Sequence, residues 1–129
     1  MQERHLYEYA VIRLVPRVER GEYINIGVVL YCKSLKTLDC VFHLNNARIS
    51  ALFPDLDLEE VEGHLLSFQK ICQGTPDSGL IGSQDLASRF RWLTARRSTI
   101  LQASEIHPGY CQQGKDALNK IFNEMVAMW

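Results

Sequence analysis

The fold of this chain is decided by the run at residues 7–32, YEYAVIRLVPRVERGEYINIGVVLYC. Two apolar segments, rich in β-branched and aromatic residues, flank one charged loop at residues 16–22, PRVERGE. Residues of those types favour strands, and a short loop with proline and glycine favours a reversal of the chain. The run therefore predicts a β-hairpin with a charged loop at its tip, which we call the head loop.

Each arm of the hairpin has its own pattern. Residues 6–15 alternate between two faces, with every second residue from Ala10 to Leu14 on one of them, which predicts a strand. Residues 23–32 are apolar on both faces, which predicts a central strand covered on both sides. Gly27 within that strand predicts a β-bulge or the close approach of another backbone or a ligand.

The remaining elements are predicted from apolar periodicity, capping residues, prolines and glycines. Asp57 and Glu60 have the spacing of a capping box and open the longest helix. The sequence His107-Pro108-Gly109 predicts a turn. The other predicted segments are a third strand at residues 35–43, helices at residues 45–53, 57–73 and 84–93, a fourth strand at residues 98–103 and a last helix at residues 113–128.

These elements predict one α+β domain that spans residues 1–129, in the order βββ-ααα-β-α. Consecutive strands at the start favour antiparallel pairing. We expect about four strands in a mainly antiparallel sheet, with the helices packed mainly on one face. A chain of 129 residues can bury such a core without a disulfide or a metal ion.

Charge and composition narrow the class of protein. The net charge of -1 argues against a general nucleic-acid coat protein, so nucleic acid is not an expected partner. No apolar run reaches the roughly 20 residues of a membrane span, and the charged start of the chain does not resemble a signal peptide. We expect a cytoplasmic protein with reduced cysteines and no membrane contact. The spacing of Cys32 and Cys40 leaves open whether they face each other across a hairpin.

The densest polar cluster near a predicted strand end consists of Arg13, Arg17, Glu19, Arg20 and Glu22, with Asn25 nearby. Arginine presents planar donors that fit a carboxylate or a phosphate, so one interpretation is a site for an anion or a partner at the end of the sheet. The structural alternative is ion pairing across the strands that sets the register of the hairpin. Arg13 differs from the others because it lies within a strand, where a half-buried guanidinium needs a partner.

A second polar cluster follows the third predicted helix and consists of Arg96, Arg97, Ser98 and Thr99, then Gln102 and His107. Two arginines before two hydroxyls can hold a phosphate, although the motif lacks the glycines of a P-loop. Alternatively, the hydroxyls make local turn hydrogen bonds and the arginines stay solvated. Trp92 lies off the apolar stripe of its helix and is either a second core contact or an anchor for a partner.

The histidines and cysteines lack the spacing of a metal site, and no nucleotide-binding or hydrolase motif is present in the sequence. We therefore expect no metal and no cofactor, and we assign no catalytic residue. Cys111 is the one cysteine off the predicted core faces, and a nucleophile paired with His107 is the catalytic arrangement that this leaves open.

The two clusters also carry a resemblance to a known family. The run at residues 7–32, together with SRFRWLTARRSTILQAS at residues 88–104 and His107, closely resembles an uncharacterised bacterial family, domain of unknown function 3037. This sequence has Arg96 and Ala103 where the family often has proline. The resemblance implies no established activity. Proteins similar to this one often accompany HipA-like kinases, which implies an accessory subunit with such a kinase as its partner.

If the fourth strand lies beside the first or the second, the polar residues of both clusters converge on one patch at the end of the sheet. The first function that we expect is a non-enzymatic binding or accessory module that engages a protein partner through this patch. The alternative is a small enzyme or sensor acting on a phosphorylated ligand or nucleic acid. In that alternative Arg13, Arg20 and Arg97 clamp the anion, and Glu19 or His107 transfers a proton.

Overall fold

The computed structural model describes residues 4–97 and 99–127. At its centre is the predicted hairpin, in which β1 (His5–Leu14) pairs antiparallel with β2 (Ile24–Cys32). Both strands are apolar over most of their length because each is buried on its two faces near the middle of the sheet.

The hairpin contains the β-bulge that Gly27 predicts. The register shifts by one residue there, so that Asn25 rather than Ile26 lies opposite Arg13. A side chain at Gly27 is excluded, since a Cβ atom would lie 2.7 Å from the carbonyl oxygen of Val41 on the next strand. Beyond the bulge, alternate residues of β2 point to the opposite face of the sheet.

Three further strands complete an antiparallel sheet, namely β3 (Thr37–Phe42), β4 (Leu101–Ala103) and β5 (His107–Cys111). The order across the sheet is β3-β2-β1-β4, and β5 pairs with the other half of the β1 edge that β4 uses. The α+β class and the antiparallel sheet are therefore as predicted, with one strand more than expected.

The extra strand lies where the sequence predicted a turn, and that prediction was wrong. His107 to Cys111 run antiparallel to β1, with Pro108 opposite Glu8. Proline is tolerated here because β5 is at the edge of the sheet, where a missing N–H need not interrupt a ladder. Gly109 lies against the ring of Tyr7, which leaves no room for a side chain.

The gap between β4 and β5 is bridged by Ser104, the only buried polar residue among those described. Its N–H donates to the carbonyl oxygen of Val11, and its hydroxyl accepts from the N–H of Val11, both at 2.8 Å. The hydroxyl in turn donates to the carbonyl oxygen of Glu105 at 2.9 Å. The serine side chain thus replaces a main-chain acceptor that the two strands do not supply.

Capping side chains mark the start of the first two helices. The side chain of Asn45 accepts from the N–H of Arg48, and that of Asp57 accepts from the N–H groups of Glu59 and Glu60. Among the described residues, no helix combines the length and apolar character needed to cross a bilayer. The helices are α1 (Asn46–Leu52), α2 (Leu58–Gln73), α3 (Gly79–Gly82), α4 (Leu86–Thr94) and α5 (Gly114–Phe122), which continues as a π-helical turn at Asn123–Ala127.

Two apolar clusters cover the two faces of the sheet. One face, which we call the α2 face, carries Ala10, Ile12 and Leu14 of β1 and packs against α1, α2 and α4. The opposite face, the α5 face, packs against α5 and its π-helical turn. Cys40 contacts the first cluster and Cys32 belongs to the second, so these two cysteines lie on opposite faces and do not face each other.

We expect Ser104→Ala to destabilise the fold because it leaves the buried N–H of Val11 without an acceptor. A buried donor left in that state costs about 1–3 kcal/mol. Urea denaturation should show a loss of this size in the free energy of unfolding. The exposed Ser50 on α1 provides the control, and Ser50→Ala should change the free energy of unfolding by less than about 0.5 kcal/mol. Equal values for the two variants would contradict the role of the Ser104 hydroxyl.

Candidate functional site

The head loop folds as a 3₁₀ turn whose charges neutralise each other. Arg17 Nε lies 2.8 Å from Glu19 Oε1, and Arg20 pairs in the same way with Glu22. The pKa of Glu19 is lowered by a hydrogen bond from its own backbone N–H and then by Arg17. Gly21, with φ of 70°, closes the turn. The pairs join residues two apart within the loop, so they do not set the register between strands.

A cleft of about 320 Å³ lies between the head loop and the connection from α1 to α2. Arg20 and Glu22 line one side, and Leu52, Phe53 and Leu56 line the other. Because Arg20 and Glu22 are paired with each other, the cleft presents no unpaired charge from the head loop to an anion.

A second group of predicted residues forms a row across three strands. Arg13 on β1 is in register with Asn25 on β2 and with Gln102 on β4. Residues directly opposite each other in antiparallel strands project to the same face. Gln102 then turns back along its own strand, since its Nε2 donates to the carbonyl oxygen of Thr99 at 3.1 Å. Arg13 and Asn25 are left as neighbours on the α5 face.

Arg13 and Asn25 each hold a buried polar atom that has no partner in the described part of the chain. The Nε of Arg13 is a donor and the Oδ1 of Asn25 is an acceptor. The Nδ2 of Asn25 donates to the carbonyl oxygen of Met125 at 3.2 Å, which fixes the orientation of the amide. The guanidinium carbon of Arg13 lies 4.4 Å from the ring centroid of Tyr23, a cation–π contact. The site therefore presents an unsatisfied donor beside an unsatisfied acceptor.

Aromatic side chains extend this site along the α5 face. Tyr9 is opposite His107 in the register of β1 and β5, and their ring centroids are 5.4 Å apart. We call Arg13, Tyr23 and Asn25, with Tyr9 and His107 beyond them, the Arg13 surface. Tyrosine and arginine are residue types that are enriched where proteins contact one another.

Trp92 and Arg97 form a third group. The guanidinium carbon of Arg97 lies 4.1 Å from the Trp92 ring centroid, and its Nη2 donates to the Trp92 carbonyl oxygen. Burial lowers the pKa of Arg97 from its ordinary value. The hydroxyl of Thr99 donates to the carbonyl oxygen of Leu101 at 2.6 Å. This is the local hydrogen bonding that the sequence offered as the alternative to phosphate binding; Ser98 lies outside the described residues.

The polar residues that were expected to converge thus lie in three groups. Arg97 lines a cleft of about 180 Å³ with Trp92, His64 and Thr99. Among the described residues, this cleft shares no lining residue with the one that Arg20 lines. Both lie near the end of β1 where the head loop begins, but they open separately. One patch containing all the predicted residues is not formed.

Cys111 and His107 do not have the geometry of a nucleophile and its base. They lie four residues apart on β5, which corresponds to about 13 Å along a strand. Burial raises the pKa of the Cys111 thiol, and the nearby Cys32 raises it further. A thiol with a raised pKa is protonated near neutral pH and is a poor nucleophile. Within residues 4–97 and 99–127, no three His, Cys, Asp or Glu side chains are grouped closely enough to hold a metal ion.

Sequence reasoning missed Tyr23 and the Met125 carbonyl group as parts of the Arg13 surface. Tyr23 lies two residues before Asn25, so the period of two along an extended chain was a signal for it. The Met125 carbonyl group gave no signal, because its contact with Asn25 spans 100 residues of sequence.

The fold and these sites define a small α+β domain with an open antiparallel sheet and shallow polar surfaces. The chain belongs to a family described as a protein of unknown function, DUF3037, whose model matches residues 9–126. The family resemblance predicted from the two sequence motifs is thereby confirmed. No curated protein and no solved structure matches the chain.

We expect Arg13→Met to leave the isolated domain as stable as the original, or more stable. The change removes a buried donor without a partner, which offsets the loss of a cation–π contact worth about 0.5–1 kcal/mol. Leu14→Ala, at the next and fully buried position, should cost about 2–5 kcal/mol in the same urea denaturation experiment. A loss above about 1.5 kcal/mol for Arg13→Met would mean that Arg13 serves the fold rather than a partner.

Proposed function

We propose that this protein is a non-enzymatic binding or accessory module that engages a protein partner through the Arg13 surface. The observation that carries the proposal is the unsatisfied pair formed by Arg13 Nε and Asn25 Oδ1. Buried polar groups in folded proteins are nearly always hydrogen-bonded, and each exception calls for an explanation such as a ligand that is bound in use.

The chemistry of the pair favours a polypeptide as the occupant. Arg13 Nε needs an acceptor, and Asn25 Oδ1 needs a donor. A phosphate or a carboxylate satisfies the arginine but offers the asparagine oxygen no proton. A peptide group offers a carbonyl oxygen and an N–H, so an extended segment of a partner would satisfy both atoms once the Arg13 and Asn25 side chains turn outward to meet it. The exposed ring of Tyr23 adds apolar area that a protein partner covers.

The alternative of an enzyme or sensor for a phosphorylated ligand or nucleic acid receives less support. It needs Arg13, Arg20 and Arg97 around one anion, and these three lie in separate groups. Arg20 is paired with Glu22, and Arg97 is engaged by Trp92. His107 is exposed, and its ring lies tilted against that of Tyr9, with ring centroids 5.4 Å apart.

Within this proposal, a HipA-like kinase is the first partner to test, because the family resemblance implies it. The cytoplasm is the proposed compartment. All four cysteines are free, which is typical of proteins kept in a reducing environment.

Co-purification with a HipA-like kinase, followed by titration calorimetry of the isolated pair, tests the proposal. We expect the original protein to bind and Arg13→Met to bind at least about tenfold more weakly, because the partner's carbonyl oxygen is then buried without a donor. Arg17→Met is the matched control, since it removes the same charge from the exposed head loop. It should bind within about twofold of the original.

Two outcomes would contradict the proposal. Equal binding by Arg13→Met and the original protein would remove the Arg13 surface from the interface. A protein that emerges alone and monomeric from its native cell extract, with no affinity for the kinase, would contradict the accessory role.

A further inference from the structure

A groove on the other face of the sheet is independent of the Arg13 surface. It lies on the α2 face at the start of β1, beyond the part of that face that the helices cover. Leu6 and Arg13 are seven residues apart on one strand, which corresponds to about 23 Å, and they point to opposite faces. None of the residues that form this groove belongs to the three groups described above.

The floor of the groove is apolar and exposed. Leu6 and Tyr110 are directly opposite each other on β1 and β5, and their exposed fractions are 52% and 67%. Tyr31 lies beside them and is anchored against Phe90 of the core, with ring centroids 5.4 Å apart. One exposed ring beside an aliphatic side chain suits a hydrophobic side chain of a partner. It does not form the row of rings on which successive bases stack.

The rim of the groove is basic. Arg4 and Arg91 line it, as do Lys33 and Lys36 from the turn between β2 and β3. Glu8 is the only acidic residue among the described residues that line it. None of the four cations makes an ion pair with a carboxylate of the described residues. The groove, with a volume of about 830 Å³, therefore carries a local excess of positive charge on a chain whose net charge is -1.

We propose that this groove binds an acidic segment of a partner protein, with one aliphatic or aromatic side chain seated on Leu6 and Tyr110 between carboxylates that face the rim. Charge complementarity carries the choice of occupant, because a basic rim steers acidic partners toward the groove and repels basic ones. Exposed charge pairs alone contribute little to affinity. The exposed apolar floor of the groove adds area that a partner buries.

Fluorescence anisotropy with a labelled acidic heptapeptide that has one central leucine tests the proposal. We expect it to bind at low salt and to weaken as salt rises, since the rim charges are exposed and screened. Two comparison peptides, one with lysine in place of every acid and one with serine in place of leucine, should bind at least about tenfold more weakly. An acidic peptide that binds no better than the lysine peptide would overturn the proposal.

Variants locate the binding. The double variant Lys33→Glu and Arg91→Glu should weaken the acidic peptide by at least about tenfold, because like charges then face each other. The double variant Lys115→Glu and Lys120→Glu makes the same change of charge on exposed positions of α5 and should leave affinity within about twofold. Tyr110→Ser removes an exposed side chain without altering the core, and it should weaken binding with the rim intact. Weakening by the α5 control to the same extent as by the rim variant would overturn the proposal.

The same assay separates this groove from other occupants and from the proposed function. Arg13→Met should bind the acidic peptide as the original protein does, so loss of kinase binding and loss of peptide binding are distinguishable. Tighter binding of labelled oligouridylate than of the acidic peptide would assign the groove to nucleic acid instead. Self-association in sedimentation that the rim variant abolishes would assign the groove to a second copy of this chain.

Discussion

The rest of the structure depends on β1, which is hydrogen-bonded along both edges and, from Ala10 onward, covered on both faces. β2 occupies one edge continuously, whereas β4 and β5 divide the other between them. The join between those two short strands falls at Val11, where a main-chain acceptor is missing, and the Ser104 hydroxyl supplies it. Without that hydrogen bond the buried N–H of Val11 would have no acceptor, and Val11 lies in the strand on which the helices of both faces pack.

Elements whose signals are local were predictable from the sequence. Alternation identified β1, and the capping residue Asp57 marked where α2 begins. β5 was not predictable, because His107-Pro108-Gly109 has the composition of a turn. Only pairing with β1, a hundred residues earlier, makes it a strand. Tertiary pairing overrode local propensity at an edge, where proline costs least.

The candidate site was also predictable only in part, because some of its features have local signals and others depend on how distant strands pair. An arginine within an apolar strand indicated that Arg13 needs a partner, and the structure leaves its Nε unsatisfied. The identity of its neighbour depends on the bulge at Gly27. A regular register would place Ile26 opposite Arg13, and the extra residue brings Asn25 there instead. Gly27 indicated a bulge in the sequence. Which residue the bulge places opposite Arg13 depends on how β1, β2 and β3 pair with one another. The separation of Arg20 and Arg97 likewise depends on which elements wall each cleft.

The fold tolerates the free-energy cost of leaving Arg13 Nε and Asn25 Oδ1 without hydrogen-bond partners. Because the fold does not need these two atoms, they point to a role in binding. Each buried polar atom without a partner costs about 1–3 kcal/mol, against a net stability of about 5–15 kcal/mol for a typical domain. A fold can carry such a cost when its core is continuous on both faces of the sheet, as it is here. A partner that supplies both a donor and an acceptor recovers the cost on binding. Since a ligand that binds only the folded state also stabilises that state by mass action, the proposed partner would link recognition to stability at this pair of residues.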